Sequence, residues 1–374
     1  MKVFHCDHCQ QLVFFENVSC VKCGHTLAYV PDLDDIASLA PAEGDVWRSL
    51  AGGAYRLCGN YRKERVCNWA MPAESEKELC DSCCLTCVIP DLSVTGNRER
   101  WYRLEVAKRR LIYSLLRLNL PLVGNDAERA MGLGFEFLAD APEPSGAKVM
   151  TGHNQGRITI NVAEADDAER EKRRLALHEP YRTLLGHFRH EIGHYYWDRL
   201  IDGGESMERF RGVFGDERRD YAQALQKHYE QGPPADWQNH FVSAYAAAHP
   251  WEDWAETWAH YLHITDALET AAASGLWLQP ERRDEPALKP AAELRGCRPA
   301  TFDRLIENWF PLTYVVNNLN RGLGLPDGYP FVLSPAAIVK MRFVHDAICG
   351  NQGGSGGARR EQGANAGSAR SSES

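Results

Sequence analysis

Arg189-His190-Glu191-Ile192-Gly193-His194-Tyr195-Tyr196-Trp197 is the stretch on which the reading of this chain turns. Its centre is H-E-x-x-H. In an α-helix, residues i and i+4 lie on one face, so His190 and His194 can turn both imidazoles toward one metal ion, with Glu191 beside them to hold a water. The flanks favour a helix over about 181–200: Leu184, Leu185, Phe188 and Ile192 form an apolar stripe, and no proline interrupts it after Pro180. A core helix that merely carries two histidines would look the same. A third ligand separates the two readings, because a catalytic zinc is held by three protein groups and keeps a fourth position open.

Downstream, His249-Pro250-Trp251-Glu252-Asp253-Trp254-Ala255-Glu256-Thr257-Trp258-Ala259-His260-Tyr261 offers two acids, Glu252 and Glu256, one helical turn apart. Pro250 can start that helix, since its missing N–H costs nothing in the first turn. Trp251, Trp254, Ala255, Trp258 and Ala259 surround the acids with apolar surface, which argues against two solvated carboxylates. His187, His260 and His263 stand near enough in sequence to line a cleft but read better as structural residues.

Upstream the chemistry changes. Of the 12 cysteines, ten fall before position 90. Cys6, Cys9, Cys20 and Cys23 form C-x2-C-x10-C-x2-C, two knuckles that can each give two thiolates to a tetrahedral zinc, with Gly24 suited to the second turn. A unit this small buries too little apolar surface to fold without metal. His5, His8 and His25 are then spare. A second group holds six candidates, Cys58, Cys67, Cys80, Cys83, Cys84 and Cys87, for what should be four positions. The preferred set is Cys58, Cys67, Cys80 and Cys83, with Cys87 able to replace one of them. Two structural zincs and one at the histidines make about three. Clustered unpaired cysteines also point to a reducing, cytoplasmic setting.

The rest bounds the reading. The chain has 374 residues, 44% hydrophobic and 25% charged, with net charge −9. An acidic balance disfavours nucleic acid, whose binding leans on Lys and Arg neutralising phosphates. No apolar run approaches the roughly 20 residues of a membrane-spanning helix, and the N-terminus lacks a signal-like apolar segment. Residues 1–30 read as a zinc ribbon, 31–55 as a Pro/Asp/Ala/Gly-rich linker, 56–95 as a second four-cysteine zinc module and 96–349 as the main domain. The tail 350–374, rich in Gly, Ser, Ala and Arg, reads as disordered. Within the main domain, helical spacing from Trp101 to Leu118 predicts a helix. Residues 133–163 look like strands, Arg157 to Val162 most clearly, and further helices are expected at 205–230, 238–248, 251–271 and 300–320.

These motifs carry a resemblance. E-x-x-A-E at 252–256 resembles the third-ligand helix of gluzincins, in which the first acid binds zinc and the second supports a ligating histidine. That implies Glu252 on the metal and Glu256 behind it, with the swapped assignment open. Tyr245, seven residues before Glu252, matches the offset of an oxyanion-stabilising tyrosine in lethal-factor-type gluzincins. As a whole the chain resembles the bacterial zinc-binding metallopeptidases with an N-terminal zinc ribbon, over about residues 1–350. Cys67-Asn68-Trp69, Ile89-Pro90-Asp91-Leu92-Ser93, Glu105 to Leu111, Thr151-Gly152-His153, Ile158 to Asn161, Glu179 to His187, Arg189 to Trp197 and Trp251 to His263 carry it. Cys84 and Cys87 depart from the pattern. The resemblance implies an α+β fold: a zincin-like, mostly helical catalytic domain with a small β-sheet, preceded by zinc-ribbon-type modules of four cysteines each. It also implies a zinc metallopeptidase in which Glu191, as general base, activates water against a peptide bond, with strand 157–162 at the cleft rim able to pair with an extended peptide. The competing reading is a non-catalytic, zinc-stabilised scaffold that binds a protein partner through its ribbon.

Overall fold

The computed structural model describes residues 1–124, 132–141, 148–176, 179–282, 284, 287–288 and 299–355. The chain opens on a two-stranded hairpin, β1 (Phe4–His5) and β2 (Leu12–Val13), paired Phe4 to Val13. The first knuckle closes where the Gln10 N–H donates to the Cys6 carbonyl at 2.8 Å. The second closes where Gly24, at φ +76°, donates to the Cys20 carbonyl at 2.8 Å.

Residues 31–55 are not a linker. They supply much of a five-stranded antiparallel meander: β3 (Thr26–Val30), β4 (Asp35–Pro41), β5 (Trp47–Ser49), β6 (Ala54–Leu57) and β7 (Ala70–Pro72). The prolines and glycines that suggest a linker sit at the bends between short strands. Ala37 and Leu39 pack the sheet's own small core with Ala28, Val30, Tyr55 and Leu57, while Ile36 is buried in the main core. The sheet curls, because Trp69, just before β7, returns to bridge Tyr29 of β3. The sheet thus runs through the boundary expected between the linker and the second cysteine module.

A short helix, α1 (Asp81–Cys84), leads into β8 (Thr86–Val88), which joins a four-stranded sheet with β9 (Gly134–Leu138), β10 (Gly152–Asn154) and β11 (Arg157–Asn161) in the order β10-β11-β9-β8. β11 lies inside this sheet, antiparallel to β10 and parallel to β9. Both of its edges are used, so it has no free edge for a peptide; the outer edge beside the helices belongs to β10. Asn154 and Arg157 close that hairpin over Gln155 and Gly156, both at positive φ, the two-residue turn that matches strand twist.

Between β8 and β9 runs α2 (Asn97–Arg117), which buries Trp101, Leu104, Leu111, Ile112 and Leu115. After β11 come α3 (Asp167–Ala176), α4 (Leu184–Leu200), α5 (Met207–Phe214), α6 (Tyr221–Gln231), α7 (Pro250–Ala273), α8 (Pro299–Gly322) and α9 (Pro335–Ser355). The helix expected at 205–230 is two helices, broken at Gly215 with φ +100°. The one expected at 238–248 is two 3-10 turns, Trp237–Asn239 and Tyr245–Ala247. α9 carries the chain to Ser355, into the stretch expected to be disordered; residues 356–374 lie outside the described residues. One buried apolar cluster extends from Phe4 to Ile348, so cysteine-rich and helical regions share a core. No described helix is long and apolar enough to cross a membrane.

Candidate metal centre

The centre is built where α4 crosses α7. Thr183 caps α4, its hydroxyl accepting from the Gly186 N–H at 3.1 Å. His249 caps α7, its Nδ1 accepting from the Trp251 N–H at 3.2 Å, and Pro250 occupies the first turn. The helices touch at Gly193. A Cβ there would stand 3.0 Å from Ala255 Cα and 3.2 Å from Trp258 Cβ. The Trp254 indole N–H donates to the Gly193 carbonyl at 2.8 Å and pins the crossing. The residues between the two histidines therefore have a packing task, which is to let the acids of α7 reach the imidazoles of α4.

Three atoms converge as a result. His190 Nε2 lies 3.2 Å from His194 Nε2 and 3.0 Å from Glu252 Oε2, and His194 Nε2 lies 3.6 Å from the same oxygen. Ligand atoms about 2.0–2.1 Å from a tetrahedral zinc stand roughly 3.3–3.4 Å apart, so the triangle has the size of a zinc site. Glu252 Oε2 is buried and has no well-aligned hydrogen-bond donor, although two ring nitrogens face it. An orphaned carboxylate oxygen among imidazole nitrogens suits a cation, and these residues could hold one. Glu256 lies on the other side of His190, its Oε1 2.7 Å from Nδ1, and the Ser243 hydroxyl donates to its second oxygen at 2.6 Å. Such an outer carboxylate fixes ring tautomer and orientation.

The charges favour a cation here. Burial opposes a proton on His190, but the facing carboxylates of Glu252 and Glu256 outweigh it and hold its pKa well above the usual value. Burial would likewise raise both acids, yet the facing histidines hold Glu252 well below the carboxylate range and bring Glu256 down to about 2. Glu191 is buried, which pushes its carboxyl up, and it bonds to no protein group among the described residues. The Tyr245 ring stands 6.0 Å from that of His190, and its hydroxyl is free of protein partners among the described residues.

Three further neighbours have no role assigned from the sequence, although His153 lies in a stretch that carries the family resemblance. Tyr221 donates its hydroxyl to Glu252 Oε1 at 2.6 Å. Ser243 holds Glu256. The side chain of His153 on β10 is buried, with its ring 6.3 Å from that of His194. Each reaches the site through tertiary contacts, which no helical or strand period reveals. His187 faces the buried Glu164 at 3.4 Å, His260 meets the Tyr329 hydroxyl at 2.7 Å, and His263 packs between Trp309 and Tyr329.

Two more groups of ligands lie in the N-terminal region. Cys6, Cys9, Cys20 and Cys23 converge, with Sγ pairs 3.7 Å (Cys6–Cys23) and 3.5 Å (Cys9–Cys20) apart. Cys58, Cys67, Cys80 and Cys83 converge too, all buried, with Cys67 and Cys80 3.8 Å apart. Thiolates about 2.3 Å from a tetrahedral zinc stand roughly 3.8 Å apart. Cys84 and Cys87 are exposed and stand outside this set: Cys84 donates to the Leu79 carbonyl, and Cys87 meets Arg157. His8 and His25 stack on each other at 4.0 Å beside Cys23.

Two thiol clusters and a His-His-Glu triangle in one α+β chain define a zinc-binding protein. The chain belongs to the family described as "putative zinc-binding metallo-peptidase", whose model matches residues 97–347, while a zinc-ribbon domain model matches residues 3–94. It is similar to uncharacterized proteins of Mycobacterium bovis and of two Mycobacterium tuberculosis strains, each 46% identical over 350 residues, or 93% of this chain and 95% of the relative. No solved structure matches it.

Proposed function

We propose that the protein is a zinc metallopeptidase of the gluzincin type, with a zincin-like body formed by α4, α7 and the β8–β11 sheet. The observation that carries this is the triangle of His190, His194 and Glu252, with an unpaired Glu191 at its side. Those three residues hold the catalytic zinc, and Glu256 orients His190 from behind. The two cysteine sets hold one structural zinc each, so the full complement is three, and cysteines clustered as metal ligands suit a reducing cytoplasm.

When bound, zinc supplies Lewis acidity, which makes water nucleophilic near neutral pH and polarises a carbonyl. The protein's own groups do the rest. Glu191 takes the proton of the attacking water and passes it to the leaving amine; burial raises its pKa and makes it a better base. Tyr245 offers its free hydroxyl to the oxygen on which charge develops. The outer edge of β10, not β11, lies beside α4 and can pair with an extended peptide or protein substrate. The ribbon serves a structural or protein-docking role.

Cleavage of a peptide library by the wild type and by Glu191→Gln tests this. The variant should keep its zinc and fold and lose about 10²–10⁴-fold in rate. A fully active variant would overturn the base assignment. A zinc-loaded wild type that cleaves nothing would favour the scaffold reading.

A further inference from the structure

Tyr221 is the first residue of α6, and α6 buries none of its side chains. Glycines in left-handed backbone bound the segment, Gly215 at φ +100° and Gly232 at φ +74°. The helix packs lightly, with the His228 ring of its last turn 5.9 Å from the Tyr245 ring, and is anchored at its leading end. Asp220 caps it, accepting from the Gln223 N–H at 2.9 Å. Just before, the Arg219 carbonyl lies 3.1 Å from His249 Nε2, and Arg211 grips Glu217. The Tyr221 ring then leans on His249 and Trp251, at 5.2 and 5.7 Å, and its hydroxyl reaches Glu252 Oε1 at 2.6 Å. That oxygen is not the one facing the histidines, which is Oε2. The two oxygens of a single carboxylate thus have different tasks.

We infer that Tyr221 is a positioning residue for the third metal ligand: its hydroxyl occupies Glu252 Oε1, so that Glu252 presents Oε2 alone to the metal. The inference rests on the reading of Glu252 as that ligand. With Oε1 engaged, the carboxylate neither swings about its Cγ–Cδ bond nor closes on the metal through both oxygens. One coordination position then stays open, which a catalytic site needs and a structural site does not. The same bond ties the start of α6 to Glu252.

Zinc affinity of the histidine site, measured on the full chain by competition with a chelator, tests this in wild type, Tyr221→Phe, Glu252→Gln and the double variant. Tyr221→Phe should weaken zinc binding about 10–100-fold, with the cysteine-bound zinc and the melting temperature unchanged. In the Glu252→Gln background the same change should cost nothing more, because a residue acting through Glu252 has nothing left to position. Wild-type affinity in Tyr221→Phe, or losses that simply add in the double variant, would overturn the inference. Wild-type affinity in Glu252→Gln would instead overturn the ligand reading beneath it.

Discussion

At the scale of single residues, spacing and burial do different work. His190 and His194, and likewise Glu252 and Glu256, are legible in the sequence because helical spacing places each pair on one face, with Glu191 directly after His190. Tyr221 and Ser243 are not, because they meet Glu252 and Glu256 across 31 and 13 residues through folds of irregular chain. Asp198 is another such residue. It lies half-buried, 3.9 Å from His153. Burial lifts its carboxyl to about 6 and lowers the His153 imidazole to about 4, so near neutral pH the aspartate is charged beside a neutral ring. A carboxyl whose folded pKa exceeds its unfolded value stabilises the fold when protonated. That contribution is complete below the unfolded value of 3.8 and is lost as pH rises through about 6. Asp198→Asn should therefore raise stability by about 1–2 kcal/mol at pH about 8, after allowance for solvent screening, and by almost nothing at pH about 4. Thermal melts at the two pH values check this, and an equal gain at both would contradict it.

At the scale of elements, long periodic helices are legible and short irregular ones are not. α2, α4, α7 and α8 lie close to where apolar spacing puts them. The expected helix at 238–248 fails for local reasons. The residue before Pro250 is pushed into extended backbone, and His249 sits at φ −155°, ψ 150°. Ser243 turns its hydroxyl to Glu256 and to the Ala246 N–H, in competition with regular helix. The meander over 26–72 is missed because its strands are short and its bends carry the composition of a linker. The α4–α7 crossing is the element on which the centre depends. Gly193→Ala would push a methyl to within 3.0 Å of the Ala255 backbone. Overpacking of this kind costs about 1–3 kcal/mol, and the helices can relieve it only by separating, which widens the ligand triangle. The variant should melt earlier and bind zinc at the histidines more weakly. A lower melting temperature with unaltered zinc affinity would show that the crossing does not set the site.

At the scale of the whole molecule, the cysteine-rich region is part of the body. β8 continues from the second cysteine cluster into the four-stranded sheet, and α2 faces that cluster with buried charges. Lys108 pairs with Glu105 at 2.9 Å, and Arg109 donates to the carbonyl of Val66, next to Cys67. Burial disfavours the charge on Arg109, but the thiols of Cys67, Cys80 and Cys83, together with Glu105, more than offset it. Four thiolates around zinc carry net negative charge, and Lys108 and Arg109 supply the counterpart. Cys67→Ser should thus remove the negative group that most favours the buried Arg109 charge, at a cost of about 3–5 kcal/mol, and lower the unfolding transition of the entire chain. A separate early transition for the first 95 residues, with the helical body unaffected, would contradict this coupling. None of it is legible from the cysteine spacing, which shows which residues share a metal but not which helix balances its charge.

On the proposed reading, His190, His194 and Glu252 hold an open zinc site. The most direct test is the zinc content of the full chain before and after mild chelation, in the wild type and in His194→Ala. Three zincs per wild-type chain are expected, two after chelation, and two in the variant from the outset. Identical zinc content in wild type and His194→Ala, with nothing released by the chelator, would contradict it.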